Sequence, residues 1–163
     1  MNSVRPERQS FAGLPLIAEK PAELGRDTIL VVEDEDFVRE VTCEVLLSAG
    51  YLVLRARTAS EAAGLFTRNG EKLQLLLTDV VLPGRSGQAL AQELRAIAPR
   101  LKTIFISGYP KNEISQQGLN DPGTFYLPKP FSAQMLLEAV ETALGQGEGA
   151  SEEKTPRSAW SIE

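Results

Sequence analysis

The stretch Leu73–Gln74–Leu75–Leu76–Leu77–Thr78–Asp79–Val80–Val81–Leu82–Pro83–Gly84–Arg85–Ser86–Gly87 decides the fold. Its opening run, Leu73 to Thr78, is apolar and short, and reads as a buried strand. Asp79 closes that run and opens a turn, Val80 to Gly87, that neither a strand nor a helix absorbs. Other runs end in the same way. Ile29–Leu30–Val31–Val32 leads into Glu33–Asp34, Ile104–Phe105–Ile106 into Ser107, and Phe125–Tyr126–Leu127 toward Lys129. In a parallel sheet these carboxylates, hydroxyl and ammonium converge on one edge, and that edge is where open α/β sheets bind ligands.

Working outward, strands alternate with helices. Thr28–Val32 is a β-rich run. Glu35–Ala49 carries Phe37, Val38, Val41, Val45 and Leu46 at helical spacing and stops at Gly50. Tyr51–Ala56 is the second strand. Thr58 and Glu61 form a capping box that starts a helix running to Asn69–Gly70. After the third strand, Ser86 caps a helix carrying Leu90, Leu94 and Ile97, ended by Pro99. Leu101–Ile106 and Thr124–Leu127 are the fourth and fifth strands. Between them Pro110 to Gly123 is polar, with Ile114 and Leu119 as its apolar anchors, and the expectation there is a short, poorly anchored helix. Met135, Leu136, Ala139, Val140 and Ala143 stripe the last helix. Five strands and five helices in alternation imply an α/β doubly wound parallel sheet of order 2-1-3-4-5, with helices on both faces and right-handed crossovers. Its switch point lies between strands one and three, which deliver Glu33–Asp34 and Asp79.

At 163 residues the chain is expected to hold one domain, residues 27–145. Residues 1–26 read as a flexible linker and 146–163 as a disordered tail, being rich in Pro, Glu and Arg and in Gly, Glu and Ser respectively. A net charge of −5 without a basic helix face argues against direct nucleic-acid binding. The single Cys43 rules out an internal disulfide, fits a reducing, cytoplasmic compartment, and is expected to be a packing residue. No apolar run approaches the ~20 residues of a membrane span. Phe11 to Ala18 mimics a signal peptide faintly, but Pro15 interrupts it.

Clustered carboxylates repel one another and stay charged together only around a cation. Oxygen donors, with no histidine in the chain and its cysteine remote, favour Mg²⁺ over Zn²⁺. Lys129 is a compact charge able to neutralise a phosphoryl oxygen, and Ser107 can donate to another. A carboxylate beside both is suited to form an acyl phosphate. Singly, each group has a plainer reading: Glu33 and Asp34 favouring a helix N-terminus, Asp79 closing a turn, Ser107 in a loop, Lys129 solvated. Their joint placement at strand ends is what carries the argument.

On these motifs the chain resembles the receiver domain of the bacterial two-component response-regulator family. Ile29–Leu30–Val31–Val32–Glu33–Asp34–Glu35 is similar to that family's first-strand acidic motif. Asp79, Pro83 and Gly87 match its D-x-x-x-P-x-x-x-G turn, Ser107–Gly108 its Ser/Thr followed by a small residue, and Leu127–Pro128–Lys129–Pro130–Phe131 its Lys-Pro-Phe motif. The resemblance covers about residues 27–144. It implies a flavodoxin-like fold and Asp79 phosphorylated from a partner's phosphohistidine. Mg²⁺ would be held by Asp34 directly, by Glu33 through water, by Asp79 and by the Val81 backbone carbonyl. Ser107 and Lys129 would hold the phosphoryl group, Ser107 and Tyr126 would act as the switch, and Lys129–Pro130 would be cis. Glu33 departs from the commoner Asp. Phe11 to Leu16 with the Pro/Glu linker after it resembles the junction between the ATPase domain and the receiver of hybrid histidine kinases, and Ser107–Gly108–Tyr109 and Asn120 to Gly123 look like those receivers.

The expected function is therefore phosphoacceptance in a phosphorelay. Its partner is a histidine kinase or phosphotransfer protein, and the downstream protein is unspecified. Turnover is limited to the domain's own phosphorylation and dephosphorylation, and the signal leaves through Ser107 to Tyr126. The oligomeric state is open between a monomer and a weak homodimer. The competing readings are a receiver-like interaction module that is never phosphorylated and a Mg²⁺ phosphohydrolase with an Asp nucleophile. The intact residue set argues against the first, and Val80–Val81–Leu82, offering no second acid after Asp79, against the second.

Overall fold

The computed structural model describes residues 27–108 and 121–145. The readings made above for residues 1–26, for 109–120, where most of the expected fourth helix falls, and for 146–163 lie outside them. In chain order the elements are β1 (Thr28–Val32), α1 (Asp36–Ser48), β2 (Leu52–Ala56), α2 (Ala59–Asn69), β3 (Leu73–Asp79), α3 (Gly87–Ile97), β4 (Lys102–Ser107), β5 (Thr124–Pro128) and α4 (Ala133–Gly145). A single 3₁₀ turn, Gly70–Lys72, joins α2 to β3. The strands pair in parallel in the order β2-β1-β3-β4-β5, as the alternating pattern requires.

Strand residues bury alternately on two sides, because successive side chains leave opposite faces of the sheet. Leu30, Val32, Leu76 and Phe105 pack with Ala62 and Phe66 of α2 and Leu90 and Leu94 of α3. Ile29, Val31, Leu75, Leu77 and Ile104 pack with Cys43 and Leu46 of α1 and Leu136 and Val140 of α4. Leu46, Leu75, Leu76, Leu77, Leu90 and Leu136 are among the fully buried side chains, each stabilising by roughly 1.5–3 kcal/mol relative to exposure. Cys43 sits in this packing as a small apolar group.

Local signals set the element ends. Gly50 takes φ 94°, the left-handed cap after α1. Thr58 accepts from the Glu61 N–H, and Ser86 from that of Ala89. Glu61 does not complete the capping box on Thr58: its carboxylate accepts from the Arg57 N–H, one residue earlier. The β1–β3 register slips between Thr28 and Ile29, leaving Gln74 unpaired in the ladder, and the Gln74 side chain accepts the Thr28 N–H at 2.6 Å.

Thr103 of β4 is fully buried, and its hydroxyl has no hydrogen-bond partner among the described residues. An unmet buried hydroxyl costs about 1–3 kcal/mol, and an apolar group of the same shape avoids that cost. Thr103→Val is expected to stabilise the domain by about 1 kcal/mol, read as a higher urea midpoint at unchanged slope. A lower midpoint would show that the hydroxyl is satisfied.

Candidate functional site

The carboxyl ends of β1, β3, β4 and β5 bring the singled-out residues together. Glu33 follows β1, Asp79 ends β3, Ser107 ends β4, and Lys129 follows β5. Glu33, Asp79 and Ser107 are buried, whereas Asp34 is exposed. One carboxylate oxygen from each of Glu33, Asp34 and Asp79 lies within 4.8 Å of the others. This all-oxygen donor set, open to solvent on the Asp34 side, suits a hard divalent cation.

Lys129 crosses the cluster. Its Nζ donates to Asp79 Oδ2 at 2.6 Å and to Glu33 Oε2 at 3.0 Å. Asp79 Oδ1 accepts the Val81 N–H at 2.9 Å, and Glu33 Oε1 the Glu35 N–H at 3.1 Å. Burial pushes the Glu33 carboxyl above its ordinary range. The Glu35 N–H and Lys129 offset part of that push, and the Asp79 charge adds to it. Burial alone would lower Lys129, but the hydrogen bonds and charges of Asp79 and Glu33 together hold its ammonium above the ordinary lysine range. Lys129 thus neutralises part of the carboxylate charge from one side, while Asp34 stands on the other, solvent-open side of the cluster.

Backbone contacts fix where these groups point. The Lys129 N–H bonds the Ser107 carbonyl at 2.8 Å, and Lys129–Pro130 is cis, as the resemblance implied. The Val80 N–H reaches Ile106 O at 2.9 Å, carrying the β3–β4 ladder one residue past Asp79. The Asp79 carbonyl accepts the Thr78 hydroxyl at 3.0 Å, and Gly87 lies against it so closely that a Cβ there would stand 2.0 Å from the oxygen. Val81 is exposed in the turn beyond Asp79. Tyr126 is half-buried and packs on the α2/α3 side of the core, three residues before Lys129.

Sequence reasoning missed two contributors. Arg39 of α1 is buried and donates to the Glu33 carbonyl at 2.9 Å, and Thr78 is more than a strand residue, since its hydroxyl holds the Asp79 carbonyl. The buried set is preorganised, with both Asp79 oxygens and both Glu33 oxygens engaged. Chemically the arrangement offers a buried carboxylate paired with an ammonium, next to an acidic group able to hold a cation.

Residues 29–141 match the family model described as the response regulator receiver domain. The chain is 38% identical over 127 residues to the sensor kinase CckA of Brucella abortus (strain 2308), a match covering 77% of this chain and 13% of that protein. It is 33% identical over 128 residues to the phosphate regulon transcriptional regulatory protein PhoB of Pseudomonas aeruginosa, covering 77% and 55%. The chain thus spans less than two thirds of either relative. Among solved structures, the receiver domain of the hybrid histidine kinase CckA aligns with a TM-score of 0.63 at 36% identity, covering 72% of this chain and 98% of that one. A response regulator receiver domain protein from Clostridium thermocellum aligns with a TM-score of 0.68 at 28% identity, covering 74% and 95%.

Proposed function

The chain belongs to the response regulator receiver domain family, and from that premise we propose that Asp79 accepts a phosphoryl group from the phosphohistidine of a histidine kinase or phosphotransfer protein. The observation that carries this reading is the buried Asp79 carboxylate held between Lys129 Nζ at 2.6 Å and the Val81 N–H at 2.9 Å, beside Glu33 and Asp34. An Asp79 oxygen bonds to phosphorus as the P–N bond of the donor breaks, and the donor imidazole keeps the electron pair and takes up a proton. Mg²⁺, when bound to Asp34, Asp79, the Val81 carbonyl and, through water, Glu33, supplies charge neutralisation for the transferring group. Lys129 leaves Glu33 to accompany a phosphoryl oxygen, and the Ser107 hydroxyl donates to another. That movement and the adjoining Tyr126 form the proposed output, a bistable element biased by added charge. A downstream protein reads it.

Incubation with Mg²⁺ and acetyl phosphate is expected to add one phosphate mass, labile to hydroxylamine as an acyl phosphate is, and to add none when the metal is chelated. Failure of the Mg²⁺-loaded protein to take up phosphate would favour the phosphate-independent interaction module instead.

A further inference from the structure

Arg39 is a guanidinium where an amphipathic helix would ordinarily place a solvated charge. Its side chain is 9% exposed. One nitrogen donates to the Glu33 carbonyl at 2.9 Å and the other to Asp36 Oδ1 at 2.5 Å, while its own N–H makes the first helical bond to Glu35 O. Asp36 is anchored in turn by Arg57 at 3.3 Å, and these arginines hold its carboxyl below the usual range, the Arg39 hydrogen bond first. The Glu33 N–H is meanwhile bonded to Ala56 O at 3.1 Å, at the end of β2. Glu33 is therefore tied on both sides of its backbone. Of those ties, only the one to Arg39 falls on the peptide plane between Glu33 and Asp34.

We infer that Arg39 is the positioning residue of the cation site: by fixing the Glu33–Asp34 peptide it aims the Asp34 carboxylate at Glu33 and Asp79. The fork geometry of a guanidinium reaches the carbonyl and Asp36 together, which a lysine ammonium on its flexible stem does not reproduce. The N-cap residue Glu35 offers no side-chain cap; the loop is held by the Glu33 carboxylate on the Glu35 N–H, by the Glu33 N–H on Ala56 O and by Arg39 on the Glu33 carbonyl. The inference rests on the Mg²⁺ reading of the site given above.

The sign of one measurement separates positioning from bystander charge. Arg39→Met removes a positive charge near an acidic cluster, and by Coulomb's law alone that would tighten Mg²⁺ binding. If Arg39 positions Asp34, binding weakens instead, by about tenfold, as for other residues that orient metal ligands. Arg39→Lys keeps the charge and is expected to weaken binding in the same direction. Mg²⁺ affinity is to be measured by calorimetric titration of the full chain, on variants whose amide spectra show a folded domain. In the metal-free protein the Glu35 amide, bonded to Glu33 Oε1, is expected to exchange faster in Arg39→Met. Wild-type affinity or tighter in either folded variant overturns the role of Arg39. Absence of Mg²⁺ binding by the wild-type protein overturns the site reading instead.

Discussion

Asp79→Asn is expected to abolish phosphate uptake from acetyl phosphate altogether, leaving the intact mass unchanged under conditions where the wild-type protein is modified. The amide is close in shape to the carboxylate, so it keeps the Val81 N–H as a donor and preserves the turn. What it lacks is the charge and the free oxygen pair that attack phosphorus. Glu33 and Asp34 stand within 4.8 Å, but Glu33 is pinned by the Glu35 N–H and Lys129. Asp34 is exposed, without the flanking ammonium. Neither is a substitute nucleophile. An undiminished adduct in the variant would remove Asp79 from the role assigned to it.

Gly87→Ala is expected to destabilise the domain by about 3 kcal/mol, the upper end of what overpacking costs. The added methyl would stand 2.0 Å from the Asp79 carbonyl oxygen, 2.9 Å from the Thr78 hydroxyl and 3.0 Å from the Asp79 carbonyl carbon. Backbone cannot swing aside as a flexible side chain can, so either α3 or the end of β3 must shift. At the start of a helix an alanine would otherwise be neutral or favourable by up to ~1 kcal/mol, so the clash predicts the opposite sign from helix propensity. Urea denaturation decides between them. A midpoint equal to or above that of the wild type would show that α3 docks more loosely on β3 than the contacts indicate. Surviving folded Gly87→Ala protein should also take up phosphate more slowly, since the displaced atom is the backbone of the nucleophile itself.

The strands and their polar endings were legible in the sequence because short apolar runs stop abruptly at Glu33, Asp79 and Ser107, and a parallel sheet sends all such ends one way. Gly50, Thr58 and Ser86 marked helix ends through local chemistry, and the structure ends or starts a helix at each, although Glu61 reaches Arg57 rather than closing the box on Thr58. Contacts that depend on three-dimensional closure were not legible. The pairing of Lys129 with Glu33 joins residues 96 positions apart. A Lys after a strand announces only a charge, not the two carboxylates that it bridges. Arg39 resembles any charged helix residue until the turn from β1 brings the Glu33 carbonyl beneath it. Gly87 was recognisable as part of a turn pattern. That its hydrogen in place of a methyl makes room for the Asp79 carbonyl is a matter of ångströms that spacing cannot express. The polar stretch Pro110 to Gly123 carries too few apolar anchors to declare its own shape.

Parallel strands with helical returns have a further geometric result. The chain enters the sheet at Asp27 and leaves it through α4, which runs back antiparallel to β5. Both passages therefore lie at the pole opposite the edge that holds Glu33, Asp79 and Lys129. Burial pushes the Tyr51 hydroxyl, just before β2, above its ordinary range, and the charges of Glu141 and Asp27 add to that push. Entry and exit at one pole let a domain be spliced into a longer polypeptide as a cassette without opening its core. Both junctions thus stand at the end of the sheet away from Asp79, so the proposed phosphoryl donor would meet the opposite pole.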